Sequence, residues 1–305
     1  MKFVTYRRGE EISYGAQMED GIIPLPEIWP DVPDSLQALI AADGLAKAKS
    51  RCESSSARLG LDEVTLLSPL QAPGKLIGLA VNYVAHHKEF DRGELPDKPF
   101  ITPRPFIMPD TALADPLSVI PWPDFSEEID YELELAVVIG RTAKDIGPDQ
   151  ARDAIAGYTI ANDVSARSTT HAVGRKTRPK DDFFDWLHGK WADGFLPLGP
   201  CFVPAADIGD PQNLDLQTTV NGEVRQDSNT SLMIFDVFEL VAFCSRLMTL
   251  QPGDIIATGT PSGVGKATGK LLQPGDRIRC SIEKIGTLEN TMGPKPETWY
   301  TPCEK

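Results

Sequence analysis

Asp130-Tyr131-Glu132-Leu133-Glu134-Leu135-Ala136-Val137-Val138-Ile139-Gly140 is the stretch on which the fold turns. From Tyr131 it alternates, then becomes continuously apolar, then stops at a glycine. That is the pattern of a β-strand running into a core. Residues two apart share one face of a strand. Asp130, Glu132 and Glu134 therefore point the same way, with Ala136 and Val138 beyond them. Carboxylates at this spacing repel on a partly buried face and need a cation, a proton or bulk water. Two readings are open at this point. The acidic part is a solvated strand end, or it is an oxygen-rich site suited to Mg²⁺, Mn²⁺ or Ca²⁺.

The surrounding chain sets the context. It has 305 residues, 41% hydrophobic and 24% charged, which is ordinary globular composition with length for a sizeable core. Its apolar runs, such as Leu135 to Ile139, are too short to span a bilayer. The first eight residues lack the apolar centre of a signal peptide, so a cytoplasmic protein without membrane partners is expected. The five cysteines at 52, 201, 244, 280 and 303 form no CxxC pair and read as reduced thiols. A formal charge of −14 repels nucleic acid and anionic lipid. An anionic substrate would need a local positive centre, either a metal or a few placed Lys and Arg.

Upstream, Lys2–Tyr6 and Glu11–Ala16 look like strands of a small antiparallel meander. Asp34 or Ser35 can cap a helix carrying Leu36, Leu39 and Ile40, and residues 42–60 read as its end followed by a loop. Ala72-Pro73-Gly74 follows a connector, which places a domain boundary near residue 70. A small N-terminal domain then covers 1–70 and a larger domain 71–305. Within the larger one, Lys75–Ala80 is a buried strand, and Asn82–Phe90 turns into a short helix. Residues 91–125 are Pro-rich and irregular. Residues 171–194 are polar and aromatic without periodicity, as in a lid or binding loop. Asn221-Gly222 marks a hairpin, and the apolar positions from Ile234 to Met248 mark an amphipathic helix beginning near Ser231. Gln-Pro-Gly-Asp occurs at 251–254 and again at 273–276, each time before a strand, as repeated turn chemistry. Many strands, few helices and mixed connections indicate an α+β or mainly β domain from about 71 to 305.

Candidate chemistry is spread along the chain. Gly259-Thr260-Pro261-Ser262-Gly263-Val264-Gly265-Lys266 fails as a phosphate loop, because Thr260 and Ala267 occupy positions that need glycine and a hydroxyl. What remains is a Gly-rich loop that could hold a carboxylate, or a plain turn. His86 and Glu89 are three apart and so neighbours on a helix. A carboxylate beside an imidazole makes a general base, although a surface helix can carry the same pair. No Gly-x-Ser-x-Gly elbow and no cysteine nucleophile signature is present, so metal-assisted chemistry with water fits better than an acyl-enzyme.

Six segments then occur in a shared order: Asn82-Tyr83-x-x-His86-x-x-Glu89, Asp130 to Gly140, Asn162-Asp163-Val164-Ser165-Ala166-Arg167, Asp193-Gly194-Phe195-x-Pro197-x-Gly199-Pro200, Asn221-Gly222-Glu223, and Gly259-Thr260-Pro261-x-Gly263-Val264-Gly265. Together, over roughly residues 71–290, they resemble the fumarylacetoacetate hydrolase family, in particular its small acylpyruvate-hydrolase branch. The resemblance implies a mixed β-roll catalytic domain, commonly a homodimer. It implies one divalent cation, Mg²⁺ first with Mn²⁺ or Ca²⁺ as alternatives, held by Glu132, Glu134 and Asp163. It also implies a water-activating dyad of His86 and Glu89, a catalytic Lys190, and substrate contacts from Arg167 and Thr260. Asp130 is then expected to be a solvated or supporting group.

Two positions depart from the family pattern. Met108 stands where Phe-x-Lys-Pro often has lysine, and Thr170 where a glutamine often follows the arginine by three. Both are expected near the substrate, and Met108 in place of a cation favours a more apolar substrate end. The leading expectation is hydrolysis of a carbon–carbon bond in a 1,3-diketo acid. Decarboxylation of oxaloacetate or a related β-keto acid, hydration or isomerisation of a 2-keto-enoic acid, and a non-catalytic metabolite-binding role are the alternatives.

Overall fold

The computed structural model describes residues 1–90, 93–169 and 175–300. Its centre is a mixed eleven-stranded sheet. The main path runs Gly21–Pro24, Glu11–Met18, Lys2–Arg8, Leu196–Pro204, Ile155–Asn162, Leu133–Ile139, Ile255–Ala257, Leu76–Leu79 and Pro105–Met108. The path has two ends and closes no barrel. A second, five-stranded sheet contains the hairpin Asp215–Val220/Glu223–Asn229 and the strands Arg277–Ile282 and Gly286–Met292. The α+β expectation is met, with an open roll of strands and short helices. Among the described residues no helix is long and apolar enough to cross a membrane.

Leu133–Ile139 is buried at every position, as its continuous apolar run requires, and is antiparallel to both neighbours. The acidic stretch is not one uninterrupted strand. Ile129–Asp130 pairs with Ser165–Ala166, and the chain then shifts before joining the large sheet at Leu133. Glu132 thus sits at a break between two pairings, where its side chain is released from the ladder toward the site.

The N-terminal meander forms as expected, and Ser35 caps Leu36–Ala41 by accepting from the Ala38 N–H at 3.1 Å. It also joins the large sheet, with Phe3 opposite Phe202. Both turn aspartates of the repeated Gln-Pro-Gly-Asp do the same work. Asp254 accepts from the Gln251 N–H at 2.8 Å, and Asp276 from the Gln273 N–H at 2.7 Å.

Three local expectations are corrected. Residues 45–53 form a helix, Leu45–Glu53, inside the segment expected to be loop. The amphipathic helix is Val237–Leu247 and starts later than Ser231, because Asp236 and Glu239 make a reciprocal capping box. The 171–194 segment, expected to lack periodicity, contains a helix, Asp181–His188, whose apolar positions Phe183, Phe184, Trp186 and Leu187 are helically spaced but span little more than one turn. Residues 171–174 lie outside the described residues.

Candidate active site

Glu132, Glu134 and Asp163 are all buried, and each offers an oxygen within 4.8 Å of the others. Two pairing features bring them together. Leu133 pairs with Asn162, and the Asp163 N–H donates to the Glu132 carbonyl at 2.8 Å. Asn162 adds a further tie by accepting from the Glu132 N–H at 2.9 Å.

The surroundings treat the three carboxylates differently. Glu132 faces two cations: Lys190 Nζ donates to Oε2 at 2.8 Å and Arg167 donates to Oε1. Burial opposes its ionisation, but Lys190 and Arg167 outweigh burial and bring its pKa down to about 2. Asp163 shares Lys190 at 2.6 Å, but burial and the nearby Glu132 charge raise it to about 6. Among the described residues Glu134 has one hydrogen-bond partner, the Gly259 N–H at 2.7 Å. Burial, then Asp163 and Glu132, push its pKa well above the carboxylate range. Lys190 stays an ammonium: burial lowers its pKa, but Asp163 and Glu132 more than compensate.

Two buried oxygens, Glu134 Oε1 and Asp163 Oδ1, have no hydrogen-bond partner among the described residues. Orphaned buried acceptors are costly. Their placement on two members of an oxygen-only triad fits a hard divalent cation, which Glu132, Glu134 and Asp163 would hold.

The same cavity, about 610 Å³, is also lined by His86, Arg167, Thr260, Arg104, Phe106 and Trp186. His86 lies on the short helix Val84–Lys88. Its Nδ1 is 2.5 Å from Glu89 Oε1. A carboxylate can only accept here, which assigns the proton to Nδ1 and leaves Nε2 as a base. His87 instead places its Nε2 3.2 Å from the Gly93 carbonyl, so only the first histidine of the pair serves the cavity. Asn82 anchors the start of this helix. Its amide donates to the Phe235 and Thr258 carbonyls and accepts from the Phe235 N–H, all at 2.9 Å.

The Gly-rich loop does hold carboxylates, and they belong to the chain itself. Gly259 N–H binds Glu134, and Gly263 N–H binds Glu89 Oε2 at 2.9 Å. The N–H groups of Gly265 and Lys266 bind the two oxygens of Asp130 at 2.6 and 2.9 Å. One loop therefore aligns the triad and the dyad. Asp130 is fully buried, so the solvated alternative falls. It also accepts from Arg167 Nε at 2.9 Å, which links the loop to Glu132 through a single guanidinium.

Of the expected substrate contacts, Thr260 and Arg167 line the cavity, and Arg167 spends two of its nitrogens on Asp130 and Glu132. Met108 does not line it. It is 3% exposed and packs in a core with Leu76, Ala136 and Val138. Arg104, four residues earlier, lines the cavity instead. Thr170 lies outside the described residues. Gln226 and Arg104 belong to no local sequence pattern, and Asn82, though it opens the His86 segment, makes its anchoring contact 153 residues away.

Comparison with known proteins agrees with this geometry. Residues 75–293 match the family model described as the fumarylacetoacetate (FAA) hydrolase C-terminal domain. The oxaloacetate tautomerase fahd2, mitochondrial, of Xenopus laevis is 36% identical over 300 residues, covering 96% of this chain and 90% of that protein. Among solved structures, 5-carboxymethyl-2-hydroxymuconate delta-isomerase from Mycobacterium smegmatis is 32% identical with a TM-score of 0.73, covering 97% of this chain and 100% of that one. Maleylpyruvate hydrolase from Sphingobium sp. SYK-6, in complex with manganese(II) ion and pyruvate, is 31% identical with a TM-score of 0.75 and the same coverage. The match of more than half the chain, together with full-length relatives, places this protein in the fumarylacetoacetate hydrolase family of enzymes.

Proposed function

We propose that the protein is a divalent-metal-dependent enzyme acting on a small 2-oxo acid through its enolate, and that its reaction is keto–enol tautomerisation of oxaloacetate. The observation that carries this is that Glu132, Asp163, His86 and Lys190 line one cavity, with Glu134 grouped beside the first two and Glu89 bonded to His86. The identity to a named oxaloacetate tautomerase across nearly the whole chain supports the choice of reaction.

A cation held by Glu132, Glu134 and Asp163 would supply electrostatic stabilisation of enolate oxygens. The rest falls to the chain's own residues. Thr260 and Arg104 bind and orient the acid groups of the substrate. Arg104 supplies the positive charge that a second carboxylate needs in a protein of net charge −14. His86 Nε2, held by Glu89, accepts a proton from the enol hydroxyl and returns one to carbon 3, so an isomer forms and no water is consumed. Lys190, locked as an ammonium, stabilises the negative oxygen during the transfer and does not act as the base. Phe106 and Trp186, in edge contact at 5.0 Å, form an apolar wall that limits water.

The test is direct. Conversion of enol to keto oxaloacetate, followed by ultraviolet absorbance, should require Mg²⁺ or Mn²⁺, stop with EDTA, and fall roughly 10²–10⁴-fold in His86→Ala. Undiminished activity in EDTA-treated Glu132→Ala would sink it.

Carbon–carbon hydrolysis of an acylpyruvate is the second reading. It is favoured by the intact dyad, which could equally deprotonate a water, and by the maleylpyruvate hydrolase likeness. Release of pyruvate from acylpyruvates faster than oxaloacetate tautomerises would promote it to first place.

A further inference from the structure

Gln226 lies on the strand Glu223–Asn229 behind the Gly-rich loop and is 1% exposed. All four of its side-chain hydrogen-bond positions are filled. Its Oε1 accepts from the Leu133 N–H at 3.1 Å and from Thr218 Oγ1 at 2.8 Å. Its Nε2 donates to Thr260 Oγ1 at 2.8 Å and to the Pro261 carbonyl at 3.0 Å. A backbone N–H can only donate and a carbonyl can only accept. Leu133 and Pro261 therefore lock the amide in one orientation, and a flip would leave both mismatched.

Thr260 inherits a direction from this lock. Its oxygen receives the Gln226 proton, so its own hydrogen must go elsewhere. Among the described residues no protein acceptor takes it, and Thr260 lines the cavity. We propose that Gln226 is a positioning residue that turns the Thr260 hydroxyl outward as an obligate hydrogen-bond donor, selecting a carboxylate or carbonyl oxygen of the ligand at that point. The assignment rests on the 2-oxo-acid reading above.

The test uses oxalate, a planar oxo-acid mimic, with Mn²⁺ and isothermal calorimetry on the intact protein. In Gln226→Glu an acceptor oxygen can face Thr260, and the hydroxyl turns back toward it. Oxalate binding should weaken about tenfold or more, the scale of one hydrogen bond to a charged group. Thr260→Val should weaken it to a similar degree, while Thr260→Ser should restore it. A new negative charge could weaken oxalate by itself, so the decisive measurement is the double-mutant cycle. The loss from Gln226→Glu should largely disappear in the Thr260→Val background. An equal loss in both backgrounds would overturn the role of Gln226, as would wild-type affinity in Thr260→Val. If Gln226→Glu does not fold, Gln226→Met enters the same cycle with the same two outcomes. Failure of the Mn²⁺-loaded wild type to bind oxalate would instead overturn the 2-oxo-acid reading, and this assignment with it.

Discussion

Asp163 and Glu132 share the Lys190 ammonium and yet are driven in opposite directions. Glu132 has a second cation in Arg167, whereas Asp163 faces the Glu132 charge. The consequence for stability follows from the signs. A carboxyl raised to about 6 in the fold contributes stability that is complete below its ordinary value of 3.8 and lost as pH rises through about 6. Glu132, lowered to about 2, contributes in the reverse sense, above its ordinary 4.5 and lost as pH falls through about 2. Near neutral pH the metal-free protein therefore carries the full cost of the Asp163 charge, which a divalent cation would relieve. Added Mn²⁺ should raise the melting temperature more at about pH 7.5 than at about pH 5, because protons compete for the same oxygens. Equal shifts at both pH values would contradict it, and Glu134→Gln should shrink the shift. Asp130 supports a different expectation. Its carboxylate answers three backbone N–H groups and one guanidinium in full burial. Asp130→Ala leaves Arg167 without that partner and should cost about 3–5 kcal/mol in a denaturant titration.

The loop from Gly259 to Lys266 is the element on which the site depends. Gly263 shows why its composition cannot drift. Its φ is +103°, and a Cβ there would stand 2.1 Å from the Arg225 carbonyl oxygen. The Gly263 peptide is also held on both sides, by Glu89 on its N–H and by the Tyr131 hydroxyl on its carbonyl at 3.0 Å. Gly263→Ala must move the loop and loosen the dyad while leaving the triad's own strands in place. Turnover should fall about 10²-fold with Mn²⁺ binding retained, read by kinetics beside calorimetry. Loss of Mn²⁺ binding with normal turnover per loaded site would contradict this. The N-terminal helix offers a milder case: Ser35→Ala should destabilise by about 1 kcal/mol in the same titration. Elements governed by local rules were legible in the sequence, among them the Asn221-Gly222 hairpin, the Ser35 cap and the apolar run into Ile139. The Asp181–His188 helix was not, because its helical spacing at Phe183, Phe184, Trp186 and Leu187 spans little more than one turn inside a polar segment. The site divides in the same way. Spacing singled out Glu132, Glu134, His86 and Glu89 as candidates, and the family resemblance gave them their roles and added Asp163 and Lys190. Arg104, Gln226 and the fate of Asp130 depend on long-range pairing that no local pattern records.

On the scale of the whole molecule, composition and turn signals divide the chain near residue 70, but packing crosses that point freely. One core contains Val4, Tyr6, Ile22 and Leu59 together with Ile77, Val137 and Ile160. The other joins Phe3, Tyr14 and Leu36 to Ala136, Ala161 and Phe202. The first strand lies beside Leu196–Pro204 in the large sheet, and the Ser68 N–H donates to Asp115 Oδ1 at 2.7 Å. The ion pairs of Lys49 with Asp207 and of Arg141 with Asp43 cross the division, are solvent-exposed on at least one side and add little. Cohesion thus comes from apolar burial shared between the segments, at roughly 25 cal/mol per Å² of surface removed from water. Two bodies that share both their cores cannot unfold separately without each exposing the other's interior. The full chain should therefore melt in one cooperative transition, with calorimetric and van't Hoff enthalpies in agreement. Trp29, buried in the N-terminal segment, and Trp122, buried in the larger one, should lose their native fluorescence environment at the same temperature in single-tryptophan variants. Two resolved heat-absorption peaks, or separate midpoints at the two tryptophans, would show that the first 70 residues fold as an independent unit.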